Sequence, residues 1–181
     1  MPSRRPAARR HPASSSSAGA KLETVPNAVA VRYCAGHERQ VRDTLAPLGS
    51  IELYRPQRMV VFERAPGMRA APVNAALEHL RVQNAIDFIT PVLVERGSHT
   101  RQVLTDEIVL RLKPGRTRRT LQILGAAHGA TISRRNEFEP SQYVLKVRSP
   151  SGTRTLDIAR SLDASDDVEF ACPNFLTGIK R

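Results

Sequence analysis

The stretch Val29-Ala-Val-Arg32, closed by Gly36, returns 79 residues later as Ile108-Val-Leu-Arg111, closed by Gly115. Each copy is a short apolar run that ends at a glycine, which is the pattern of a strand followed by a turn. The spacing between the two copies is long enough to hold several further elements. The pair therefore points to a repeated unit in the chain.

A second correspondence lies at the other end of the repeat. Ile86-Asp-Phe88 with Pro91 matches Val168-Glu-Phe170 with Pro173 at an offset of 82 residues. The two offsets differ by only three residues, so the loops inside the two units have nearly the same length. Agreement at both ends favours two duplicated units over one large domain.

Within each unit the hydrophobic pattern changes between a period of two and a helical period. The first unit is predicted to have strands at residues 28–33, 50–54, 58–62 and 85–89, and helices at residues 37–48 and 71–82. The second unit is predicted to have strands at residues 108–112, 130–134, 142–147 and 168–171, and helices at residues 116–127 and 155–162. The order in both units is strand, helix, strand, strand, helix, strand.

This order predicts an α+β protein made of two tandem ferredoxin-like βαββαβ domains, each a four-stranded antiparallel sheet with two helices on one face. The other face of each sheet is then open, and it is either solvated or a docking surface. The expected boundaries are a basic tail over residues 1–24, a first domain over 25–96, a linker over 97–104, a second domain over 105–176 and a C-terminal tail over 177–181.

The N-terminal stretch dominates the charge of the chain. Its residues 1–21 carry five basic and no acidic side chains, out of a net charge of +11. With so little to bury, residues 1–24 are expected to be disordered and dispensable for folding. No apolar core of a signal peptide follows the arginines, so a cytoplasmic location is the default expectation, and no run is long enough to span a membrane.

Cysteine and histidine show no metal-ligand spacing, so no metal and no cofactor are predicted. Cys34 and Cys172 lie in apolar runs and are expected to be small buried residues without a disulfide. His128 in His128-Gly-Ala-Thr131 resembles the histidine motif of a protease, but no aspartate or serine motif accompanies it. Because a catalytic triad needs all three members, no catalytic residue is predicted and the chain is not expected to be an enzyme.

The second unit resembles the fervidolysin-type propeptide domain of subtilisin-like serine proteases. The resemblance covers about seventy residues, from Leu104 to Phe175, and it includes the opening Thr105-Asp-Glu-Ile-Val-Leu-Arg-Leu-Lys-Pro-Gly115. Cys172 stands where the family often has Glu, and the first unit keeps Pro91 but lacks the asparagine. The matching motif residues are Lys113, Pro114, Gly115, Val168, Glu169, Phe170, Ala171, Pro173 and Asn174.

The resemblance implies an intramolecular chaperone and inhibitor whose partner is a subtilisin-like serine protease domain, in cis or in trans. In that family the open sheet face packs on the protease and the C-terminal segment lies in the substrate cleft. Such a segment adds a strand to the cleft by main-chain hydrogen bonds. The residues implied for the cleft are Phe175, Leu176, Thr177, Gly178, Ile179, Lys180 and Arg181.

Two alternatives follow from the strand order. An RNA-binding module has the same order, but it stacks bases on aromatic residues of its central strands, and only one tyrosine, Tyr143, stands in the central strands of the second unit. Nucleic acid is therefore not the expected partner. A small-molecule-binding regulatory module would place its ligand between the two copies.

A cluster of basic residues opens the first helix of the second unit. Arg116-Thr-Arg-Arg119 holds three arginines in four residues. Such a cluster is usually a solvated surface, and the other interpretation is a contact with a phosphate or an acidic partner.

Overall fold

The computed structural model describes residues 22–179, and both ends of the chain beyond them, including most of the predicted tail, Lys180 and Arg181, lie outside the described residues. The structure is α+β, with an antiparallel sheet and four α-helices among the described residues. None of these helices has the length and apolar character needed to cross a membrane.

The first unit contains β1 to β4 and two helices. Its elements are β1 Leu22–Tyr33, α1 Glu38–Leu45, β2 Gly49–Tyr54, β3 Met59–Arg64, α2 Ala70–Val82 and β4 Ile86–Glu95. Helix α1 is shorter than predicted because Pro47 has no N–H to continue the helical ladder, and residues Ala46–Leu48 form a 3₁₀ turn instead.

The second unit repeats the order. Its elements are β5 Arg101–Leu112, α3 Arg118–Ala127, β6 Ala130–Arg135, β7 Gln142–Val147, α4 Gly152–Asp163 and β8 Val168–Ile179. Helix α3 begins two residues later than predicted because Thr117 is its N-cap and its side chain accepts a hydrogen bond from the Thr120 N–H.

Both units have the strand order of a ferredoxin-like sheet. In the first unit the strands lie side by side as β2-β3-β1-β4, and in the second as β6-β7-β5-β8. The helices of each unit cover one face. Val41, Leu45 and Leu80 pack with Val31 and Phe62 in the first unit, and the second unit has an equivalent core around Ile108, Leu110, Leu121, Leu145, Ile158 and Leu162.

The two units are joined into one eight-stranded sheet, whereas the sequence predicted two separate ones. Strands β4 and β5 form a hairpin in which Val92 pairs with Val103 and Val94 with Arg101. Gly97, with a φ of 82°, makes the turn. The predicted linker over residues 97–104 therefore contains this turn and the first four residues of β5. The predicted end of the last strand of the first unit, at residue 89, was wrong, because β4 runs on to Glu95.

Strand ends outside the predicted boundaries also belong to the sheet. Residues 22–24, which the sequence assigned to the tail, pair with Leu93–Glu95 of β4. At the other end, β8 continues to Ile179, so that Leu104 pairs with Phe175 and Gln102 with Thr177. Residues 101–103 of β5 thus have β4 on one edge and β8 on the other.

These strand ends bury the second face of the first unit. We call this surface the covered face. Its side chains point away from the helices, and each is less than a tenth exposed. They are Ala28, Ala30, Met59, Val61, Phe88, Val92 and Val103, with Leu176 packed against them. The open face expected for the first unit is therefore closed by residues of β5 and β8.

Candidate docking face of the second unit

The second unit keeps a sheet face that the helices do not cover. Along β5, Ile108, Leu110 and Leu112 point to the helices and the residues between them point away. Val109 pairs with Val144 on one side and Cys172 on the other, so all three share this second face. We call it the open face. Its residues are Glu107, Val109, Arg111, Gln142, Val144, Lys146, Phe170 and Cys172.

Charged side chains on the open face are bonded to one another. Arg111 lies at the centre, with Nη1 3.4 Å from Glu169 Oε1 and Nη2 3.7 Å from Glu139 Oε2. Its guanidinium also lies over the Phe170 ring, 5.2 Å from the ring centre and within the ~6 Å over which such contacts are attractive. The hydroxyl of Ser141 donates to Glu139 and lowers the pKa of that carboxyl.

A second ion pair crosses the other end of the face. Arg134 donates from Nη1 and Nη2 to the two carboxylate oxygens of Glu107, over 2.8 and 3.1 Å. This hydrogen bond raises the pKa of Arg134. Lys146 lies 3.5 Å from Asp106. Acidic and basic groups therefore alternate over the open face. A surface that binds a phosphate backbone is usually a continuous basic patch, and the open face is not of this kind.

The opening and closing parts of the propeptide-like motif meet at the open face. Asn174 donates from Nδ2 to Glu107 Oε2 over 3.0 Å, and its carbonyl accepts a hydrogen bond from the Thr105 hydroxyl, also over 3.0 Å. Both bonds are partly buried. Asn174 thus holds the last strand against the middle of β5, where the charged part of the open face begins.

The other motif residues divide between the turn, the core and the open face. Pro114 and Gly115 lie in the turn before α3, where Gly115 has a φ of 79° and Lys113 donates its N–H to the Asp167 carbonyl. Val168 and Ala171 lie in the core. Glu169 and Phe170 accompany Arg111, and Pro173 pairs with Ile108 in β8.

Phe170 is not a core residue, although Phe88, its equivalent on the same side of the sheet in the first unit, is only 1% exposed. It is half-buried under the Arg111 guanidinium, on the side of β8 that faces away from the helices. A one-residue irregularity in the pairing between Arg111 and Leu112 shifts the register of β8, so that Val168 and Ala171 take the core positions.

The segment implied for a protease cleft is a strand in this structure. Phe175, Leu176 and Thr177 pair with β5, and Gly178 and Ile179 continue the same strand. Leu176 packs against the covered face of the first unit. The expected tail over residues 177–181 therefore begins inside β8, while its last two residues lie outside the described part of the chain.

Aromatic side chains are absent from the two central strands of the open face within residues 22–179. The outward positions of β5 and β7 hold Glu107, Val109 and Arg111, and Gln142, Val144 and Lys146. Tyr143 points to the helices and is 6% exposed. The base-stacking positions of an RNA-recognition sheet are therefore filled by charged and aliphatic residues.

Cysteine burial was predicted incorrectly. Cys172 is exposed, because it lies on the open face, and Cys34 is only partly buried. Cys34 lines a cavity of about 270 Å³ between the units, next to Phe88 and Pro150. This cavity is below the ~300 Å³ at which small-molecule sites usually begin. No group of three or more possible metal ligands occurs in the described residues.

The contacts between the units involve residues for which the sequence predicted no functional role. Arg32 of β1 bonds to Asp106 of β5 over 2.8 Å, and the backbone N–H of Ile89 donates to the Pro150 carbonyl. Arg101 is 8% exposed and bonds to Glu63 of β3 over 2.6 Å. A charged residue within an alternating strand, such as Asp106, was the available signal, because a buried charge needs a partner.

Comparisons with known proteins do not place the chain in a family. No family model matches it, and no curated protein matches it. Eight chains of solved structures match. One is the crystal structure of the N-terminal three RNA-binding domains of the yeast splicing factor Prp24, at 14% identity and a TM-score of 0.25. The match covers 85% of this chain, which spans about 63% of that one. A likeness at this TM-score supports no argument about function.

Proposed function

We propose that the second unit is a propeptide-like chaperone and inhibitor of a subtilisin-like serine protease, which it binds through its open face. The observation that carries the proposal is the contact of Asn174 with Glu107 and Thr105. It joins the opening and closing parts of the propeptide-like motif at one edge of a sheet face that has no helix over it. This contact supports the proposal, because it brings the two parts of the motif together in space.

The surface chemistry of the open face supports a protein partner. Phe170 and Val109, both half-buried, provide apolar area at its centre, and bonded charges surround them. An apolar centre with a polar rim is the usual composition of a protein interface. The alternating charges would fix the orientation of a partner more than they would add to its affinity.

The C-terminal segment has to leave β5 before it can enter a cleft. In the proposed mechanism the open face binds first, and residues 175–179 then exchange their pairing with β5 for pairing with the protease. Main-chain hydrogen bonds are equivalent in the two states, so the exchange costs mainly the packing of Leu176 on the covered face. The first unit then acts as the holder of this segment.

The test is inhibition of a purified subtilisin-like protease by the full chain, with refolding yield of the protease as a second readout. Val109→Arg places a charge in the middle of the open face. Ile123→Arg is the matched control, because Ile123 is 65% exposed on α3, on the opposite side of the sheet. We expect Val109→Arg to weaken inhibition by about tenfold or more, as for loss of a central interface contact, and Ile123→Arg to leave it unchanged.

The proposal fails if the wild-type chain, in excess, neither slows peptide cleavage nor raises the refolding yield. It also fails if the two variants lose inhibition equally, because the open face would then have no special part in binding. A salt-sensitive complex with single-stranded RNA in the same preparation, without inhibition, would replace the proposal by the RNA-binding alternative.

A further inference from the structure

A basic cavity lies at the edge of the second unit, away from the centre of the open face. It has a volume of about 480 Å³ and is formed by the start of α3 and by β6, the edge strand of the sheet. Four arginines line it: Arg116, Arg118, Arg134 and Arg135. Like charges repel one another, so their collection around one cavity costs free energy unless an anion or a carboxylate offsets it.

A β-bulge brings the two arginines of β6 to the cavity. Ile132 pairs with Leu145 and Arg134 with the next residue of β7, Val144, which leaves Ser133 as an extra residue. Because of the bulge, Arg134 turns toward the open face and Arg135 pairs with Tyr143 on the opposite side. The two consecutive arginines therefore approach the same edge from the two sides of the strand.

Within the described residues, only two of the four arginines around the cavity are paired with a carboxylate. Arg116 bonds to Asp167 over 2.8 Å and Arg134 to Glu107. Arg118 and Arg135 have no carboxylate within ion-pair distance in that part of the chain. The side chain of Arg135 is nevertheless held in place, since its Nε donates to the Pro140 carbonyl over 2.7 Å and its guanidinium lies 5.8 Å from the Tyr143 ring centre.

The helix dipole makes the arrangement still less favourable in the absence of an anion. The first turn of α3 contains no acidic residue and carries Arg118 and Arg119, although the N-terminus of a helix favours negative charge. Basic residues at the N-terminus of a helix oppose its dipole, and such a departure from the local rule is expected at functional sites.

We propose that this cavity binds a small phosphate-bearing anion. Guanidinium groups bind phosphate oxygens through pairs of parallel N–H donors, which a single ammonium group cannot provide. The volume exceeds what one phosphate group needs and admits a diphosphate. Ser133 and Thr117, which also line the cavity, supply hydroxyl groups at its wall. The cavity shares Arg134 with the open face, but Arg118 and Arg135 are not residues of that face, so the proposal remains testable through them if the protease function is wrong.

The experiment is calorimetric titration of the full chain with inorganic pyrophosphate. The test variant is Arg118→Gln with Arg135→Gln, which removes the two arginines without carboxylate partners. The control variant is Arg154→Gln with Arg160→Gln, which removes the same charge from exposed positions on α4. We expect saturable binding to one site, weakened about tenfold or more in the test variant and changed less than about twofold in the control.

Thermal unfolding gives a second readout, because a ligand that binds only the folded chain raises its Tm. Pyrophosphate is expected to raise the Tm of the wild-type and control chains and to leave that of the test variant nearly unchanged. Absence of saturable heat with the wild-type chain would overturn the proposal. Equal weakening in the two double variants would overturn it as well, because the binding would then follow net charge and not the cavity.

Discussion

Arg32 Nη1 lies 2.8 Å from Asp106 Oδ2, so a guanidinium of the first unit is bonded to a buried carboxylate of the second. Asp106 is 5% exposed, and Arg32 also bonds to Asp87 of its own unit over 2.7 Å. The guanidinium lies 5.1 Å from the centre of the Phe88 ring on the same face. Arg32 therefore connects the two units through charge and through packing.

Replacement of Arg32 by Gln is expected to lower the free energy of unfolding by about 3 kcal/mol. The buried Asp106 would keep only Lys146, at 3.5 Å, and breaking a buried ion pair costs about 3–5 kcal/mol. Arg81→Gln is the control, because Arg81 pairs with Glu78 on the exposed surface of α2 and should cost less than about 1 kcal/mol. Urea denaturation measures both. Equal costs would mean that the pair between the units adds nothing.

Gly152 is predicted to resist any larger side chain. A Cβ at this position would collide with the Thr90 side chain and approach Leu104, so α4 packs against β4 of the first unit with no room to spare. We expect Gly152→Ala to cost about 1–3 kcal/mol, as for overpacking of a tight core. Arg154→Ala, two residues along the same helix and exposed, should change stability by less than about 0.5 kcal/mol.

The collision also predicts a rescue. Thr90→Gly removes the side chain that the new Cβ meets. Added to Gly152→Ala, it should recover part of the lost free energy of unfolding in a double-mutant cycle. Purely additive costs would place the source of the loss elsewhere.

Tyr54 is expected to make the protein less stable at alkaline pH. Its hydroxyl is buried and has no hydrogen-bond partner among the described residues. Burial, with the nearby Glu52 carboxylate, raises the pKa of Tyr54 above its ordinary value. A raised folded-state pKa contributes stability that is complete below about pH 10 and is lost as the pH rises toward the folded-state value.

Tyr54→Phe removes this dependence. At pH 7 the variant should be as stable as the wild type or slightly more stable, because it deletes an unbonded buried polar atom. Between about pH 9 and pH 11, roughly one unit on either side of the ordinary tyrosine pKa, the wild type should lose more stability than the variant. Urea midpoints across the series measure this, and parallel curves for the two proteins would contradict it.

Val103→Ala is expected to loosen the end of β8. Val103 is fully buried in the covered face and pairs with Leu176, so its truncation should cost about 2 kcal/mol. Amide hydrogens of residues 175–177 should then exchange faster. Val109→Ala is the control on the same strand, because Val109 is only half-buried on the open face. Unchanged exchange in Val103→Ala would show that the segment is not held by this packing.

The element order was predictable because it depends on local patterns. The alternation in Ile108–Leu112 and the helical spacing of Val41 and Leu45 are set by near neighbours in the chain. The hairpin between the units was missed although a signal for it exists: Arg96-Gly-Ser98 separates the two apolar runs around Val92 and Val103. The sequence predicts a linker there because the strand predicted before it ends too early, at residue 89, and the strand predicted after it begins too late, at residue 108.

The covered face was missed for a different reason. Ala28 to Val31 and Met59 to Phe62 are continuous apolar runs, which indicate strands buried on both sides, while the strands of the second unit contain polar residues at outward positions. The pattern shows that a cover exists, but it does not say which part of the chain provides it. Leu176 lies far along the sequence from Ala30, and only the tertiary structure brings them together. The arginine cavity likewise depends on the bulge at Ser133, which has no clear sequence signal.

The covered face has a consequence for the nascent chain during translation. Residues 22–95 are translated before β5, and the end of β8 is translated after every other strand of the sheet. The first unit is therefore synthesised with Ala30, Val61 and Phe88 still facing water, and its packing is complete only when Val103 of β5 and Leu176 of β8 are in place. An apolar surface that is unfilled during translation is a site for chaperone binding or aggregation. A nascent chain halted before Leu176 would carry both helices of its first unit and still lack the side chain that β8 packs on the covered face.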